Sequence, residues 1–189
     1  MIKAIVFDCF GVLVTEGLAD YYRKYFHDDQ KLIEKAEFYL HQANKGLITH
    51  DEVVKQYAEI ANIPADEARA ALSFNPVNEE LFAFIKHELK LKYKLGFLSN
   101  ASDDWLSDMF TSSQLGLFDA FVLSYQTGYA KPEPQIYGIM ADKLGVRLDE
   151  CIFFDDRQDY VDGAISTGMK AFLYRSVAEV SEDLRRSLA

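Results

Sequence analysis

The sequence predicts an α/β fold in which a parallel sheet is covered by helices on both faces and an all-helical segment is inserted after the first strand. Three observations support this prediction. Short apolar runs alternate with helix-compatible segments in the C-terminal half, these runs are continuous rather than alternating, and no strand signal occurs between about residues 15 and 90. Continuous apolar runs are typical of strands in parallel sheets that are buried on both faces.

Five short apolar runs are the predicted strands. The first, residues 2–7, is rich in β-branched and aromatic residues and stops at Asp8, which indicates a buried strand that enters a loop. The other four runs are residues 95–98, 120–123, 151–154 and 171–174. Helix-compatible spacing separates them, over residues 103–113, 134–144 and 159–167. With a last helix after Ser176, the pattern predicts successive β-α-β units and a three-layer, Rossmann-like parallel sheet.

The segment from residue 15 to residue 90 carries apolar residues at helical spacing instead. Four such stripes fall within residues 18–26, 32–43, 53–61 and 81–89. Thr49 and Glu52 have the spacing of a capping box, in which a hydroxyl and a carboxylate bind each other's backbone N–H groups at a helix start. The sequence therefore predicts a core formed by residues 1–14 and 91–189, with a small helical insert over residues 15–90.

Composition limits the size of the fold and its partners. With 189 residues and 49% apolar content, the chain can form one core plus a small insert. The net charge of −10 argues against nucleic-acid or anionic-membrane partners, which are bound through clustered Lys and Arg. Cys9 and Cys151 lie inside apolar runs without metal-ligand spacing, which is typical of a reducing compartment. The short apolar start at residues 1–7 lacks the length of a secretory or membrane-spanning segment. We expect a cytoplasmic protein, and the oligomeric state is not predicted.

Polar groups suited to phosphoryl transfer follow the predicted strands. In parallel α/β sheets, ligands bind beyond the carboxyl ends of the strands. The groups found there are, in chain order, Asp8, Ser99, Asn100, Lys131, Asp155 and Asp156. Several carboxylates at one sheet edge repel each other unless a cation joins them, and Mg²⁺ binds one or two carboxylates together with phosphate oxygens. Lys131 and Ser99 could hold the oxygens of a transferring phosphoryl group, while Asp8 attacks phosphorus.

These segments resemble, in order, the four motifs of the haloacid dehalogenase-like superfamily. The segments are Ile5-Val6-Phe7-Asp8 with Gly11-Val12-Leu13, Leu98-Ser99-Asn100, Ala130-Lys131-Pro132-Glu133-Pro134 and Phe153-Phe154-Asp155-Asp156. A helical insert between the first motif and the second strand is similar to the C1-type cap of this superfamily. The resemblance implies a Mg²⁺-dependent hydrolase, and specifically a phosphatase that acts on a small phosphorylated metabolite through an aspartyl-phosphate intermediate.

The resemblance also implies a role for each site residue. Asp8 matches the nucleophile, which is also a metal ligand, and Asp156 matches the second metal ligand. Asp155 is a further candidate ligand, and the backbone carbonyl of Phe10 is expected to coordinate the metal by analogy. The phosphate-binding residues that the resemblance implies are Ser99, Asn100 and Lys131, of which the lysine also assists catalysis.

Phe10 departs from the pattern of the family. Most phosphatases that this chain resembles have an Asp there, which protonates the leaving oxygen and later activates water. General acid–base catalysis contributes about 10²–10⁴-fold, so we expect slower turnover and a preference for leaving groups that need no proton. Tyr160 is a second departure, because relatives often have Asn or Asp at this position, and the neighbouring Asp159 is a candidate to serve instead.

Two alternatives to a phosphatase stay open. The first is a 2-haloacid dehalogenase-type hydrolase, because Phe10 resembles the aromatic position of those enzymes. Their fourth motif resembles Ser-Asn, however, whereas the Asp155-Asp156 pair of this chain favours a bound cation. The second alternative is a phosphate-binding module that has weak turnover or none, because the usual general acid is missing.

Overall fold

The computed structural model describes residues 1–15, 17–73 and 75–188 of the chain. The strands within these residues are β1 (Ala4–Phe7), β2 (Lys94–Ser99), β3 (Ala120–Leu123), β4 (Cys151–Asp155) and β5 (Lys170–Leu173). The helices are α1 (Gly17–Tyr21), α2 (Gln30–Asn44), α3 (His50–Ala61), α4 (Ala65–Leu72), α5 (Glu79–Phe84), α6 (Leu106–Met109), α7 (Ser112–Leu115), α8 (Pro134–Leu144), α9 (Gln158–Ser166) and α10 (Val177–Leu188). Helices α1 and α5 continue directly into π-helical turns, at Tyr22–Phe26 and Ile85–Leu89.

The five strands form one parallel sheet with the order β3-β2-β1-β4-β5. Strand β1 lies at the centre, where Val6 is in register with Gly96 of β2 and with Phe153 of β4. All four strand pairs are parallel. The predicted parallel α/β sheet is therefore confirmed, and the carboxyl ends of all five strands meet at one edge.

Side chains of the central strands alternate between two apolar layers, because successive residues of a strand point to opposite faces. On β1, Ile5 and Phe7 pack into one layer and Ala4 and Val6 into the other. The first layer is covered by α5, α10 and the α6–α7 segment, and the second by α8 and α9. Both faces are therefore buried, which explains why the apolar runs are continuous.

Gly96 on β2 allows helix α8 to approach the sheet closely. A Cβ atom at this position would lie 2.7 Å from the sulfur of Met140 and 3.1 Å from a methyl group of Val6. Real Cβ atoms do not approach heavy atoms so closely, so a side chain here would have to displace the side chain of Met140. This glycine allows α8 to pack closely against β2. Helix α8 begins directly after the loop that carries Lys131.

Helices α1–α4 form a separate apolar cluster that we call the cap. Its buried members are Tyr21, Tyr22, Phe26, Ala36, Ala43, Val53, Val54, Tyr57, Ala58 and Ala68. Tyr57 also joins the helices through polar contacts, because its hydroxyl lies 3.0 Å from the Tyr22 hydroxyl and its backbone carbonyl accepts a hydrogen bond from Tyr21. The predicted capping box is confirmed, since Thr49 and Glu52 bind each other's backbone N–H groups at the start of α3.

Helix α5 packs against the sheet, although the sequence prediction included it in the insert over residues 15–90. Its apolar stripe and that of the π-helical turn belong to the layer of Ile5 and Phe7, through Leu81, Phe82, Ile85 and Leu89. Helical periodicity indicates that a face is buried, but it does not show which partner covers that face. We propose that the cap ends with α4 and that α5 belongs to the core.

The prediction of a single helix over residues 103–113 is wrong. The structure has two short helices there, α6 and α7, which are separated at Phe110. Phe110 has an extended backbone, with φ −121° and ψ 146°, and its ring is buried against Phe97 and Phe82. The helix is therefore interrupted at Phe110, where the extended backbone allows the ring to be buried. In the part of the chain that the structure describes, no helix combines the length and the apolar character needed to cross a membrane.

Candidate active site

The six polar residues that follow the predicted strands all lie at the carboxyl edge of the sheet. Asp8 follows β1, Ser99 ends β2, and Asp155 ends β4. Four of the six side chains are almost completely removed from water, with exposed fractions of 5% for Asp8, 0% for Ser99, 2% for Lys131 and 0% for Asp155. Buried charges are costly unless they are paired, so their arrangement decides what this edge can do.

Lys131 joins the first and fourth motifs. Its ammonium nitrogen lies 2.5 Å from Oδ1 of Asp8 and 2.6 Å from Oδ2 of Asp155. The other oxygen of Asp155 accepts a hydrogen bond of 2.9 Å from the backbone N–H of Arg157. The ammonium also faces the ring of Tyr160, at 4.9 Å from the ring centre. Lys131 is therefore fixed between two strands that are neighbours in the sheet.

Burial and neighbouring charges shift the pKa values of Asp8 and Lys131. Burial raises the pKa of Asp8 well above its usual range, and the adjacent Asp155 raises it further, while Lys131 acts in the opposite direction. Burial alone would lower the pKa of Lys131, but Asp155 and Asp8 together raise it above its ordinary value. The lysine therefore stays charged, and the carboxylates depend on nearby positive charge.

Three carboxylates of the site could share one cation. Asp8, Asp155 and Asp156 each offer an oxygen, and these oxygens all lie within 4.8 Å of one another. Lys131 supplies a single positive charge against three negative ones, so a divalent cation would balance the excess. Oxygen ligands of this type are those that Mg²⁺ prefers, and the donor set fits this ion. Asp159 lies outside this group and instead pairs with Arg157 at 3.0 Å.

Gly11 makes room for one of these carboxylates. Its φ of +82° is the left-handed conformation that favours glycine, and a Cβ atom there would lie 2.1 Å from Oδ2 of Asp156. A side chain at this position would therefore have to displace the carboxylate of Asp156. The glycine of the first motif thereby sets the position of Asp156 relative to Asp8.

Asn100 holds the loop that carries Lys131. Its side-chain oxygen accepts a hydrogen bond of 2.7 Å from the backbone N–H of Lys131, and its side-chain nitrogen donates to the Lys131 carbonyl at 3.0 Å. The same nitrogen donates to the hydroxyl of Tyr160 at 3.2 Å. The side-chain amide is thus used within the protein, so a role of Asn100 toward phosphate would fall to its main chain. The hydroxyl of Ser99 lies 3.2 Å from the Asn100 carbonyl.

A cavity of about 610 Å³ lies between the cap and this edge of the sheet. Asp8, Lys131 and Asp156 line its core side, together with Phe10. The ring of Phe10 packs edge-on against Trp105, with 5.0 Å between the ring centres. The cavity is large enough for a small organic ligand and opens directly onto the carboxylates.

The contacts of three residues of this site are not predicted by the sequence. Tyr160 departs from the family pattern, yet it contacts Asn100 and faces Lys131. His50 at the start of α3 lines the cavity and lies 2.9 Å from the Ser102 hydroxyl. Trp105 lines it opposite the cap. Only the last is conspicuous in the sequence, as the single tryptophan of the chain, but no spacing connects it to the motifs.

Several relatives of known name are similar to this chain. A protein of Mycobacterium tuberculosis named as a phosphatase is 38% identical over 73 residues, which cover 39% of this chain and 34% of that protein. The bifunctional epoxide hydrolase 2 of Rattus norvegicus is 26% identical over 98% of this chain and 38% of its own length. The chain thus spans little more than a third of these two relatives. The D-ribitol-5-phosphate phosphatase of Bacteroides thetaiotaomicron is 26% identical, with 97% of each chain covered.

Solved structures show the same fold. A haloacid dehalogenase-family enzyme of Bacteroides thetaiotaomicron, in complex with magnesium and inorganic phosphate, has a TM-score of 0.71 and 24% identity over 94% of this chain and 96% of its own. The L-2-haloacid dehalogenase of Xanthobacter autotrophicus has a TM-score of 0.70 and 22% identity over 98% of this chain and 83% of its own. A family model of haloacid dehalogenase-like hydrolases matches residues 2–168. With the motifs, the fold and this match in agreement, the chain belongs to the haloacid dehalogenase-like hydrolases.

Proposed function

We propose that this hydrolase is a Mg²⁺-dependent phosphatase that acts on a small phosphorylated molecule through an aspartyl-phosphate intermediate. One observation carries the proposal. The ammonium of Lys131 bridges Asp8 and Asp155, and Asp156 offers an oxygen within 4.8 Å of theirs. A nucleophilic carboxylate, a fixed cation and a carboxylate pair suited to a divalent metal are the groups that phosphoryl transfer needs.

The metal would be held by Asp8, Asp156 and the backbone carbonyl of Phe10, with Asp155 close by. When bound, Mg²⁺ would supply positive charge to the carboxylates and to the oxygens of the phosphoryl group. The remaining contributions come from the chain itself. Because Asp8 and Asp155 are buried, charge–charge interactions between them and Lys131 are stronger than at the surface.

Asp8 would attack phosphorus with a carboxylate oxygen, and the leaving oxygen would take the electron pair of the broken bond. Lys131 and the hydroxyl of Ser99 would stabilise the charge on the phosphoryl oxygens during this step. Asn100 would contribute by holding the Lys131 backbone in place, through the two hydrogen bonds between them. Water would then hydrolyse the aspartyl phosphate, which regenerates Asp8 and releases inorganic phosphate.

Two relatives support a phosphatase over the alternatives. The mycobacterial relative is named as a phosphatase, and the full-length match from Bacteroides thetaiotaomicron is a D-ribitol-5-phosphate phosphatase. The structural neighbour with magnesium and phosphate has the same fold. A 2-haloacid dehalogenase would use Asp8 without a metal, and the aromatic Phe10 favours it. The three clustered carboxylates argue against it, because Lys131 compensates only one of their three negative charges when no metal is bound.

The test is hydrolysis of p-nitrophenyl phosphate by the wild-type protein and by Asp8→Asn, with and without Mg²⁺. The substitution keeps the shape of the side chain but removes the nucleophile. We expect turnover by the wild type only in the presence of Mg²⁺, and a loss of at least about 10³-fold in the variant, as for other enzymes that lose a nucleophile. Acid-quenched wild-type protein should carry a phosphoryl mass increment at Asp8.

Asp142→Asn is the matched control, because it removes the same charge from an exposed position of α8. It should retain wild-type turnover. Equal rates in wild type and Asp8→Asn would exclude the mechanism. Halide release from a 2-haloacid that persists in EDTA would select the dehalogenase instead, and tight phosphate binding without turnover of any ester would select a binding module.

A further inference from the structure

Two aromatic rings form one wall of the cavity beside Asp8. Phe10 lies two residues after Asp8, lines the same cavity, and packs edge-on against Trp105. Trp105 in turn lies 6.3 Å from the Phe97 ring, which is part of the buried layer of the sheet. The two rings are therefore backed by the core, and they present a fixed apolar surface next to the nucleophile.

The cap extends this apolar surface across the cavity. Four aliphatic residues from three of its helices and from the end of a fourth face the same space, namely Leu18, Leu40, Val53 and Leu72. Met109 at the end of α6 adds to the surface on the core side. A leaving group that departs from phosphorus toward these side chains would therefore contact apolar surface, which suits a planar or apolar group better than a polyhydroxylated one.

The proton-carrying groups beside the nucleophile are used in other contacts. The Lys131 ammonium bridges Asp8 and Asp155, and the Asn100 amide donates to the Lys131 carbonyl and to Tyr160. Burial raises the pKa of the Tyr160 hydroxyl above its ordinary value, which makes this phenol a poorer acid. A proton donor is most effective when its pKa lies near the working pH.

The cap offers no better donor among the described residues that line the cavity. Nδ1 of His50 is engaged with the Ser102 hydroxyl at 2.9 Å, and burial lowers the pKa of His50, which disfavours the protonated ring that could donate. The guanidinium of Arg69 binds Asp51 at 2.8 Å and is not an acid at any working pH. The cavity thus combines an apolar wall with a side chain two residues after the nucleophile, Phe10, that carries no acidic proton.

We propose that the site selects phosphates whose leaving group is planar and apolar and departs as a stable anion, that is, aryl phosphates and aromatic acyl phosphates. This inference rests on the proposed function. A carboxylate oxygen of Asp8 bonds to phosphorus, the bond from phosphorus to the leaving oxygen breaks, and its electron pair stays on that oxygen without a proton. Water then attacks the phosphorus of the aspartyl phosphate, releases its proton to solvent, and returns the electron pair of the broken bond to Asp8.

The first experiment measures kcat/KM for a series of ring-substituted phenyl phosphates and for propyl phosphate, with Mg²⁺. We expect log kcat/KM of the wild type to fall steeply as the leaving group becomes more basic. Propyl phosphate should react at least about 100-fold more slowly than p-nitrophenyl phosphate, which is the lower end of what a positioned proton donor contributes. Similar values across the whole series would overturn the inference while leaving the proposed function intact.

Two variants at Phe10 distinguish the effect of an acidic proton from the effect of a more polar wall. Phe10→Asp adds a carboxyl group at this position. It should reduce the ratio of kcat/KM for p-nitrophenyl phosphate to kcat/KM for propyl phosphate by at least about tenfold. The Phe10→Asn side chain has nearly the same size and polarity as that of Phe10→Asp but carries no acidic proton. This variant should therefore keep the steep dependence of kcat/KM on leaving-group basicity that is expected of the wild type. An equal reduction of this kcat/KM ratio in both variants would contradict the inference. Circular dichroism would verify that each variant folds.

The second experiment follows binding rather than turnover. Trp105 is the only tryptophan of the chain, so its fluorescence reports on the wall directly. In the Asp8→Asn variant, phenyl phosphate should change the Trp105 emission in a saturable way, whereas propyl phosphate, which carries the same charge, should change it much less. Equal responses would overturn the inference. If no ester is hydrolysed by the wild type, the proposed function fails, and this comparison still decides whether the wall receives an aromatic group.

Discussion

At the scale of single residues, Lys131 is the centre of the site because it binds carboxylates from two different strands. Both contacts are short, at 2.5 Å to Asp8 and 2.6 Å to Asp155, and all three side chains are nearly inaccessible to water. Removal of one partner from such a group leaves charges that are buried and unpaired. The same lysine therefore supports both stability and the proposed chemistry.

Lys131→Met should destabilise the protein in metal-free buffer by about 3–5 kcal/mol, which is typical of a buried ion pair that loses one partner. Mg²⁺ should restore part of this free energy of unfolding, since it would replace the lost positive charge. Urea denaturation in EDTA and in Mg²⁺ measures both effects. Lys86→Met removes an equal charge from the surface and serves as the control. Equal stabilities of the wild type and Lys131→Met in EDTA would contradict the expectation.

Tyr160→Phe should lower kcat by about two- to tenfold with little change in KM. The substitution removes the hydroxyl that accepts from Asn100 and keeps the ring that faces Lys131. A neutral hydrogen bond contributes about 0.5–1.5 kcal/mol, which sets this range. Tyr160→Leu, which also removes the ring, should be more severe. Steady-state kinetics with p-nitrophenyl phosphate would detect the difference, and a rise in KM alone would point to substrate binding instead.

Both cysteines should be unreactive in the folded protein. Burial raises the pKa of Cys151 to about 12, and burial together with Asp8 raises that of Cys9 well above its ordinary value, as expected for a thiol beside carboxylates. Because the folded pKa is raised, the stabilising effect of the Cys151 thiol is complete below pH 9.0 and is lost as the pH rises toward 12. A thiol reagent at pH 8 should modify these residues only after unfolding, and rapid modification of the native protein would refute this.

At the scale of structural elements, the turn after β1 positions the metal ligands. Gly11→Ala would place a methyl group 2.1 Å from a carboxylate oxygen of Asp156, in a backbone conformation that costs about 1–2 kcal/mol for other residues. We expect Asp156 to be displaced and the Mg²⁺ concentration for half-maximal activity to rise at least about tenfold.

Gly138→Ala is the matched control for this substitution. A Cβ atom at Gly138 would meet nothing within 4 Å, and alanine in a helix is more stable than glycine by about 0.5–1 kcal/mol. This variant should keep the Mg²⁺ dependence of the wild type and unfold at a slightly higher temperature. An unchanged Mg²⁺ requirement in Gly11→Ala would show that the turn does not set the position of Asp156.

Elements were predictable where one local signal decides them. Continuous apolar runs predict the strands within one or two residues, and Thr49 with Glu52 predicts the start of α3. The break at Phe110 was not predicted, because the burial of its ring depends on distant residues. The sequence does contain a local sign of this break, since Thr111 and Gln114 form a second capping box at the start of α7.

At the scale of the whole molecule, the meeting of the motifs follows from the parallel sheet, because all strand ends lie at one edge. Asp8, Lys131 and Asp156 could therefore be placed near one another from the sequence. Two other features could not be predicted from the sequence. They are the hydrogen bonds of Asn100 to the Lys131 backbone and the packing of Phe10 against Trp105. These contacts depend on loop conformations, which periodicity does not describe.

The cap is joined to the core by an ion pair near the site. Lys45 after α2 lies 3.0 Å from Glu133, whose other oxygen accepts from the backbone N–H of Ala130, next to Lys131. Lys45→Met should raise KM for p-nitrophenyl phosphate by up to about fivefold, since a partly exposed pair contributes at most about 1 kcal/mol. The wild type should approach this KM at high salt. Lys55→Met on the exposed face of α3 is the control, and an equal effect there would indicate a general charge effect.

The position of β1 at the centre of the sheet has a consequence for the order of folding. Its two neighbours, β2 and β4, lie about 90 and 150 residues further along the chain, and 123 residues separate Asp8 from Lys131. Contacts between segments so far apart form slowly, because closing long loops costs entropy before any pairing compensates for it. During renaturation from urea, the helical far-ultraviolet signal should therefore recover first, and enzymatic competence should return only in the final phase.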